Sequence, residues 1–337
     1  MNRFLSCFLG ALCLGASAGV AADSLLVDTA GVEQALQRGA VVWDARAAKD
    51  YAEGHIPGAV NLGAVGDLFR DPVREDPPAA AAAAKLFGDA GIDILNREVV
   101  VYGGKGDPYA YFAARMLEYY GGPHGKVYHG GIDDWKAAGK PLSKEPTKLP
   151  AISLQLGTER VGTLWTGEVI DQVRRGGAQL LDVRTAKEFI GQDVRAVRGG
   201  HIVGAVNIPY EDNWRDPDTP AKLAAKKVPN KDGMALKSMD QLKALYAGLD
   251  PDKETVVYCQ SGVRASETAA VLRELGFRDV KVYEPSWLGY AGVLSAPAGD
   301  EVFINVGAML GQMKSLQARL GALEAELSRM RQAQTTR

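Results

Sequence analysis

Short apolar runs alternate with amphipathic segments along most of this chain. Residues 41–43, 99–101, 180–181 and 256–257 are runs of valine, leucine and tryptophan, most of them bounded by polar residues. Between them lie stretches in which apolar side chains return every three or four residues, a spacing typical of helices. Short strands that alternate with helices predict a parallel sheet covered by helices on both faces, which is the α/β class.

The two halves of the chain repeat one pattern. Residues 41–63 read VVWDARAAKDYAEGHIPGAVNLG, and residues 180–210 contain the same landmarks, Asp-x-Arg and Gly-His-Ile-x-Gly-Ala-Val-Asn. Later in each half, a strand ending in Val-Val-Tyr is followed by a loop, a helix and the strand Lys-Val-Tyr. This doubled order predicts two tandem domains at residues 23–145 and 161–298, joined by a linker at residues 146–160.

A loop with the sequence CQSGVR, residues 259–264, separates a strand from a helix that we expect to begin near Arg264 or Ala265. The first N–H groups of a helix have no helical acceptor and carry a partial positive charge. Turned inward, such groups form an anion-binding nest, and Gly262 helps to close the tight curve. The nest and the charge of Arg264 favour a thiolate, which predicts a reactive Cys259 instead of an inert, packed one.

In combination these motifs resemble the rhodanese family of two-domain sulfurtransferases. The resemblance covers about 270 residues, roughly 25–297, and includes Ser286-Trp287 downstream of the cysteine loop. It implies that the second domain carries the nucleophile, Cys259. The first domain is expected to be catalytically silent, since Gly103 stands at the position of the cysteine. The residues implied to bind the substrate and the persulfide are Gln260, Ser261, Gly262, Val263 and Arg264.

The length of the cysteine loop separates three kinds of chemistry. Cys-x4-Arg is one residue shorter than the Cys-x5-Arg loop of phosphatases, and a tighter ring suits a single sulfur better than a phosphorus centre with its oxygens. We therefore expect sulfur to move from thiosulfate through a Cys259 persulfide to cyanide or a thiol, in two half-reactions without a cofactor. A phosphatase or arsenate reductase is disfavoured. A persulfide carrier or redox-sensing binding module without turnover is the alternative from a different class.

The sequence leaves the sulfur donor open between thiosulfate and 3-mercaptopyruvate. Ser261 matches the Cys-Gly-Ser-Gly-Val-Thr loop of the 3-mercaptopyruvate enzymes, whereas Gln260 and Arg264 depart from it. Arg264 can hold a sulfonate oxygen, because a guanidinium binds multi-oxygen anions through several donors. Glu188 stands where the resemblance leads us to expect a substrate arginine. Thiosulfate is the first expectation and 3-mercaptopyruvate the second.

Two further arginines are candidates for contact with the substrate. The stretch from Asp182 to His201 is longer than its counterpart in the first half and contains Arg195 and Arg198. Each of these arginines is as well explained by a surface charge as by substrate contact. Asp182 and Arg184 are expected to brace the loop through a hydrogen-bonded ion pair.

Metal binding and a catalytic histidine are not expected. His55 and His201 occupy matching turns in both halves, including the silent one, which favours a structural role. The chain has only four histidines and three cysteines, two of them near its N-terminus, so a zinc site is not predicted.

The first residues have the pattern of a secretory signal peptide. Arg3 precedes an apolar stretch, residues 4–14, and small residues follow, which predicts cleavage after Ala22, with Ala21 as the neighbouring option. This interpretation places the protein in the periplasm or outside the cell, with no membrane span after residues 1–22 are removed. Cys259 is then the only cysteine. The net charge of −2 gives no basic excess for binding nucleic acid.

Residues 302–335 predict a C-terminal helix with a coiled-coil seam. Steps of three and four residues alternate between the apolar positions Val306, Met309, Met313, Leu316, Leu320, Leu323, Leu327 and Met330. Such a heptad pattern predicts a parallel homo-oligomer, a dimer or a trimer, through residues 306–330. A helix that lies on its own domain is the alternative, because Gly311 and Gly321 weaken the helix.

Overall fold

The computed structural model describes residues 24–71, 75–157 and 160–335. The predicted signal peptide, residues 1–22, lies outside these described residues. The first half of the chain forms β1 (Leu26–Val27), α1 (Thr29–Gln37), β2 (Val41–Asp44), α2 (Ala48–Glu53), β3 (Val60–Asn61), α3 (Val65–Leu68), α4 (Ala80–Asp89), β4 (Val99–Tyr102), α5 (Pro108–Tyr119), β5 (Gly125–Tyr128) and α6 (Gly131–Ala137). Its five strands pair in parallel in the order β1-β5-β4-β2-β3.

The second half repeats this arrangement with additions. It forms β6 (Thr163–Leu164), α7 (Thr166–Arg175), β7 (Gln179–Asp182), α8 (Ala186–Phe189), β8 (Arg198–Ile202), β9 (Val206–Asn207), a 3-10 turn (Tyr210–Asn213), α9 (Thr219–Ala224), a second 3-10 turn (Asp232–Met234), α10 (Met239–Leu245), β10 (Thr255–Tyr258), α11 (Val263–Glu274), β11 (Val280–Tyr283), α12 (Ser286–Ala291), β12 (Ala298–Phe303) and α13 (Val306–Thr335). The parallel sheet has the order β6-β11-β10-β7-β9. The predicted α/β class, with two tandem parallel sheets and a C-terminal helix, is confirmed.

Within each sheet, the two central strands end side by side at the carboxyl edge. Asp44 of β2 lies opposite Tyr102 of β4, and Asp182 of β7 lies opposite Tyr258 of β10. β4 and β10 are buried along their whole length, as central strands with helices on both faces should be. Open parallel sheets bind ligands beyond the carboxyl ends of their strands, and Cys259 directly follows Tyr258 there.

The predicted linker lies against the first domain. Its described residues, 146–157 and 160, form no helix or strand. Ile152 donates its N–H to the carbonyl of Gly88 at 2.9 Å, and a Cβ on Gly88 would stand only 2.6 Å from the Ile152 oxygen. The side chains that pack on the first core are Leu149, Leu154 and Leu156. The linker is therefore fixed to the first domain.

Helices α5 and α11 form much of the contact between the two domains. Val263 and Ala270 of α11 belong to the apolar core cluster of the first domain. Arg273 of α11 forms an ion pair with Glu118 of α5 at 2.8 Å. The helix that follows the cysteine loop is thus packed against the other domain.

A strand that the sequence pattern did not predict, β12, precedes the C-terminal helix and pairs in antiparallel fashion with β8. Because β12 extends to Phe303, α13 begins at Val306, later than the predicted residue 302. Residues 306–332 of α13 are exposed, including every side chain of the predicted seam. In the described parts of the chain, each helix is too short or too polar to span a bilayer.

Candidate active site

Cys259 is held by the segment that follows β11. The cysteine is 1% exposed, and its N–H donates to the Ser286 hydroxyl at 3.2 Å. That hydroxyl donates in turn to the carbonyl of Tyr283 at 2.8 Å. Ser286 has a φ of 50°, a strained value for a residue with a side chain, and these hydrogen bonds hold it there. The Ser-Trp pair noted in the sequence therefore fixes the start of the cysteine loop.

Three consecutive carbonyls of the loop are hydrogen-bonded to outside donors. Cys259 accepts from the Trp287 N–H at 3.0 Å, and Gln260 accepts from the Leu288 N–H at 3.1 Å. Ser261 accepts from Nη2 of Arg70, a residue of the first domain, at 2.5 Å. In a trans peptide the N–H of the next residue points away from the carbonyl.

The N–H groups that follow these carbonyls belong to Gln260, Ser261 and Gly262. They have no acceptor among the residues that the structure describes. Successive N–H groups with this orientation form a concave donor site for an anion. The loop therefore offers three backbone donors next to the Cys259 side chain.

Helix α11 begins at Val263, earlier than the predicted start at Arg264 or Ala265. Gly262 is its N-cap and has a φ of 83°, so the chain turns directly into the helix. A Cβ at this position would stand 2.9 Å from the carbonyl oxygen of Glu284 and from Nη2 of Arg70. Both the left-handed backbone and the close approach require glycine here.

Arg264 has a partner that the sequence reasoning did not assign to it. Its two terminal nitrogens each lie 2.8 Å from a carboxylate oxygen of Glu188. Burial would raise the pKa of Glu188, but the hydrogen bonds and charge of Arg264 outweigh burial and lower the pKa to about 2. Glu188 also caps α8 by accepting from Thr185. The guanidinium expected to hold a sulfonate oxygen is thus already paired.

The two arginines of the longer segment have different surroundings. Arg195 is half-exposed, its Nη1 lies 3.3 Å from Glu188, and its carbonyl accepts from the Gln260 side chain at 2.8 Å. Arg198 is buried and forms an ion pair with Glu301. Its Nη2 donates to the carbonyls of Tyr290, Val293 and Ala296. The exposed guanidinium of Arg195 beside the loop fits both a substrate contact and a surface charge. The expectation that Arg198 contacts the substrate or carries a surface charge is wrong. Its side chain is buried, and its terminal nitrogens bind Glu301 and three backbone carbonyls.

Asp182 and Arg184 form the expected brace beside the loop. Arg184 donates to both carboxylate oxygens of Asp182, the shorter contact being 2.6 Å, and to the carbonyl of Gly200 at 2.7 Å. Asp44 and Arg46 repeat this pair in the first domain. Because the pair occurs in both domains, including the one without a cysteine in its loop, we infer that it stabilises the turn.

The two turn histidines are packed on aromatic rings. His55 stacks on Tyr51 and His201 stacks on Phe189, each with ring centroids 3.7 Å apart. In each case Nδ1 lies within hydrogen-bond distance of the carbonyl of the stacked residue, at 2.9 Å for His55 and 3.0 Å for His201. No cluster of three or more histidine, cysteine or acidic side chains suited to a metal ion occurs in residues 24–71, 75–157 and 160–335.

An acidic side chain fills the matching position in the first domain. A Cβ built on Gly103 would stand 2.4 Å from Oδ2 of Asp107. Asp107 is the N-cap of α5 and accepts from the Tyr109 N–H at 3.0 Å. Burial raises the pKa of its carboxyl group. The first loop therefore has no cysteine at this position, and a side chain there would require Asp107 to move.

Two cavities of about 610 Å³ each lie away from the cysteine. One follows the groove between α5 and α11, and the other lies between the loop of Gly103 and residues 210–234. Neither is lined by Cys259. The position of the nucleophile and its donors, and not the volume of a cavity, identifies the candidate site.

Known proteins share the sequence pattern and the fold of this chain. A family model described as "Rhodanese-like domain" matches residues 28–138 and 166–292. The chain belongs to the rhodanese-like family. A thiosulfate sulfurtransferase of Corynebacterium glutamicum is 34% identical over 271 residues, which cover 76% of this chain and 84% of that protein.

Solved structures show the same rhodanese-like fold. The crystal structure of SseA from Escherichia coli, a 3-mercaptopyruvate sulfotransferase, has a TM-score of 0.64 and 25% identity, covering 79% of this chain and 99% of that one. An anaerobic ergothioneine biosynthesis enzyme from Chlorobium limicola has a TM-score of 0.69 at 22% identity, covering 82% and 70% of the two chains. Membership of the family and the named relatives identify the chain as a sulfurtransferase.

Sequence reasoning missed the residues that come from outside the loop. Arg70 and Arg115 of the first domain both bind Glu284, two positions before Ser286 in the second domain. No motif marks these arginines, and only the Ser-Trp signal after β11 pointed toward the neighbourhood of Glu284.

Proposed function

We propose that Cys259 transfers sulfane sulfur from thiosulfate to cyanide or a thiol. The Cys259 thiolate attacks the outer sulfur of thiosulfate, the sulfur–sulfur bond breaks, and sulfite leaves with the electron pair. The acceptor then attacks the outer sulfur of the persulfide, and the Cys259 thiolate leaves. The observation that carries this proposal is the set of three backbone donors beside a buried cysteine, since they stabilise an anionic persulfide.

The pairing of Arg264 with Glu188 favours thiosulfate over 3-mercaptopyruvate as the donor. A carboxylate such as that of 3-mercaptopyruvate is best bound by a guanidinium that can offer two parallel donors. Arg264 offers both of its terminal nitrogens to Glu188. Arg195 is half-exposed and only 3.3 Å from the same carboxylate. The smaller thiosulfate ion depends more on the backbone donors of the loop.

Both donors should be tested on one preparation of the wild type and of Glu188→Gln. Glutamine has one acceptor oxygen, so it can keep the hydrogen bonds from Thr185 and from one terminal nitrogen of Arg264, but it loses the second bond to Arg264 and removes a negative charge beside the loop. We expect the KM for thiosulfate to fall about threefold to tenfold, because a unit charge at close range is worth on the order of 1 kcal/mol. Since the pKa of Glu188 is about 2, this residue is charged throughout the neutral pH range. The ratio of the wild-type KM for thiosulfate to that of Glu188→Gln should therefore not vary across this range.

Steady-state kinetics with cyanide as acceptor gives these values. A higher kcat/KM for 3-mercaptopyruvate than for thiosulfate in the wild type would contradict the donor assignment. Uptake of one sulfur without turnover would indicate a persulfide carrier instead of an enzyme.

Gly103→Cys should not restore activity to a Cys259→Ser protein. The new side chain would collide with the Asp107 carboxylate, and a displaced carboxylate would leave a negative charge beside any thiolate. Thiosulfate turnover is expected to stay at the level of Cys259→Ser alone. Turnover of the double variant near the wild-type rate would show that the first loop is competent.

We also propose that the protein is exported and works in the periplasm or outside the cell. The support is the N-terminal pattern of residues 1–22, and the consequence is a mature chain with one cysteine. N-terminal sequencing of the protein recovered from a periplasmic extract tests this. A chain that retains Met1 and stays in the cytoplasmic fraction would contradict it.

A further inference from the structure

A carboxylate of the second domain is buried between two arginines of the first. The Glu284 side chain is fully buried, and Arg70 and Arg115 each form an ion pair with it. Burial would raise the pKa of Glu284, but the two guanidinium groups outweigh burial and lower it. The side chains of both arginines are themselves almost completely buried. The three groups therefore form a fixed, charged contact between the domains.

Both terminal nitrogens of Arg70 are bound. Nη1 binds the Glu284 carboxylate and donates to the Glu75 carbonyl at 2.9 Å, and Nη2 donates to the Ser261 carbonyl at 2.5 Å. The guanidinium lies over the Phe112 ring, 4.2 Å from its centroid. Because a guanidinium is planar and rigid, fixing one nitrogen and the ring face also fixes the direction of the other nitrogen.

Arg115 supports the same loop from its other side. Its Nε donates to the Ser266 hydroxyl at 2.9 Å, and that hydroxyl donates to the carbonyl of Gly262 at 2.9 Å. Arg115 thus holds the first turn of α11, whereas Arg70 holds the peptide between Ser261 and Gly262. Both arginines come from the domain without a nucleophile.

The carbonyl of Ser261 differs from its two neighbours in what holds it. Trp287 and Leu288, which hold the carbonyls of Cys259 and Gln260, belong to the same domain as the loop. Among the described residues only Arg70 donates to Ser261. If this peptide turned over, the N–H of Gly262 would point away from the donor site.

We propose that Arg70 is a positioning residue for sulfur transfer. It holds the Ser261 carbonyl outward, so the Gly262 N–H faces the sulfur on Cys259, and the silent domain thereby completes the active site of the other domain. This inference rests on the proposed function, in which the donor site stabilises the transferred sulfur. Among the described residues, no hydrogen bond or ion pair of Arg70 involves Cys259.

The test compares Arg70→Met with Arg273→Met. Each replaces one arginine of an ion pair between the domains, but Arg273 binds Glu118 and does not touch the loop. Arg70→Lys is the third variant: its ammonium keeps a positive charge beside Glu284 but lacks the second nitrogen of the fork. Arg70→Lys decides the question if Arg70→Met fails to fold.

The rate of persulfide formation from thiosulfate is measured by rapid quench and intact mass, together with the steady-state kcat and KM. Removing a whole oxyanion-type donor costs about 10²–10³ in kcat, and misplacing one costs less, so we expect a loss of about tenfold to a hundredfold in Arg70→Met and Arg70→Lys. The KM should change by no more than about twofold in these variants. Arg273→Met should retain the wild-type rate.

Crystal structures of Arg70→Met and Arg273→Met give a readout that needs no sulfur donor. The peptide between Ser261 and Gly262 should be reoriented in the first variant and unchanged in the second. Three results would each overturn the inference. They are persulfide formation at the wild-type rate in Arg70→Lys, a raised KM with unchanged kcat in either variant of Arg70, and an unmoved peptide in Arg70→Met. A wild type that takes no sulfur from thiosulfate would sink the donor assignment instead, and the two structures would still decide the role of Arg70.

Discussion

Cys259→Ser should abolish sulfur transfer while leaving the fold intact. A serine hydroxyl cannot form a persulfide, and the residue is buried at a position that accepts a side chain of this size. After incubation with thiosulfate, intact-mass analysis should show a gain of one sulfur, about 32 Da, on the wild type only. Turnover with thiosulfate and cyanide should fall to the background rate.

Ser261→Ala is a matched control for Cys259→Ser. It changes a neighbouring loop side chain, whereas the carbonyl that Arg70 holds belongs to the backbone and remains. This variant removes a side chain implied to contact the persulfide but keeps the nucleophile, so it should still gain one sulfur. Sulfur transfer that survives in Cys259→Ser would remove the assignment of the nucleophile.

Leu320→Asp combined with Leu323→Asp should dissociate an oligomer formed through α13. We propose that the exposed seam of this helix pairs with a second copy of the chain, because both leucines are more than half exposed in a single chain. Burying each leucine is worth roughly 1.5–3 kcal/mol per chain, and an aspartate in the seam reverses this gain. Light scattering at tens of micromolar (about the range of a moderate oligomer) measures the change in mass.

A charge on the flank of the seam provides the control. In a parallel pair Arg319 faces Glu324 of the other copy, so Glu324→Lys should weaken the oligomer by only about 0.2–1 kcal/mol, as exposed pairs do. The dissociated double variant should keep most of its sulfurtransferase activity, because the loop of Cys259 lies in a separate domain. A monomeric wild type would remove the coiled-coil interpretation.

The repeated motifs were sufficient to predict the architecture. Asp-x-Arg and Gly-His-Ile-x-Gly-Ala-Val-Asn mark turns in which several hydrogen bonds are local, such as those between Asp182 and Arg184, two positions apart. The strand, loop and helix around Cys259 are also contiguous in the sequence. The start of α11 and the turn at Gly262 therefore follow from local rules of helix termini and glycine conformation, whereas the loop carbonyls are held by donors from distant segments.

What the sequence did not predict depends on contacts between distant segments. Arg70 and Glu284 are 214 positions apart, and nothing in the hydrophobic pattern pairs them. Nothing in the sequence indicated that Arg198 is buried, because its partners come from β12 and from the residues after α12, about 100 positions away. Arg264 looked free because the approach of Glu188 depends on how the longer segment folds back.

The side chain of Asp107 also constrains how this protein can evolve. A cysteine at position 103 would meet the carboxylate 2.4 Å from its Cβ, so the side chain of Asp107 would have to move. That movement would break the hydrogen bond from the Tyr109 N–H that caps α5, and loss of such a cap costs about 0.5–2 kcal/mol, which a marginally stable protein tolerates poorly. A nucleophile in the first loop is therefore disfavoured as a single step, so selection can refine the silent domain as a support for its neighbour.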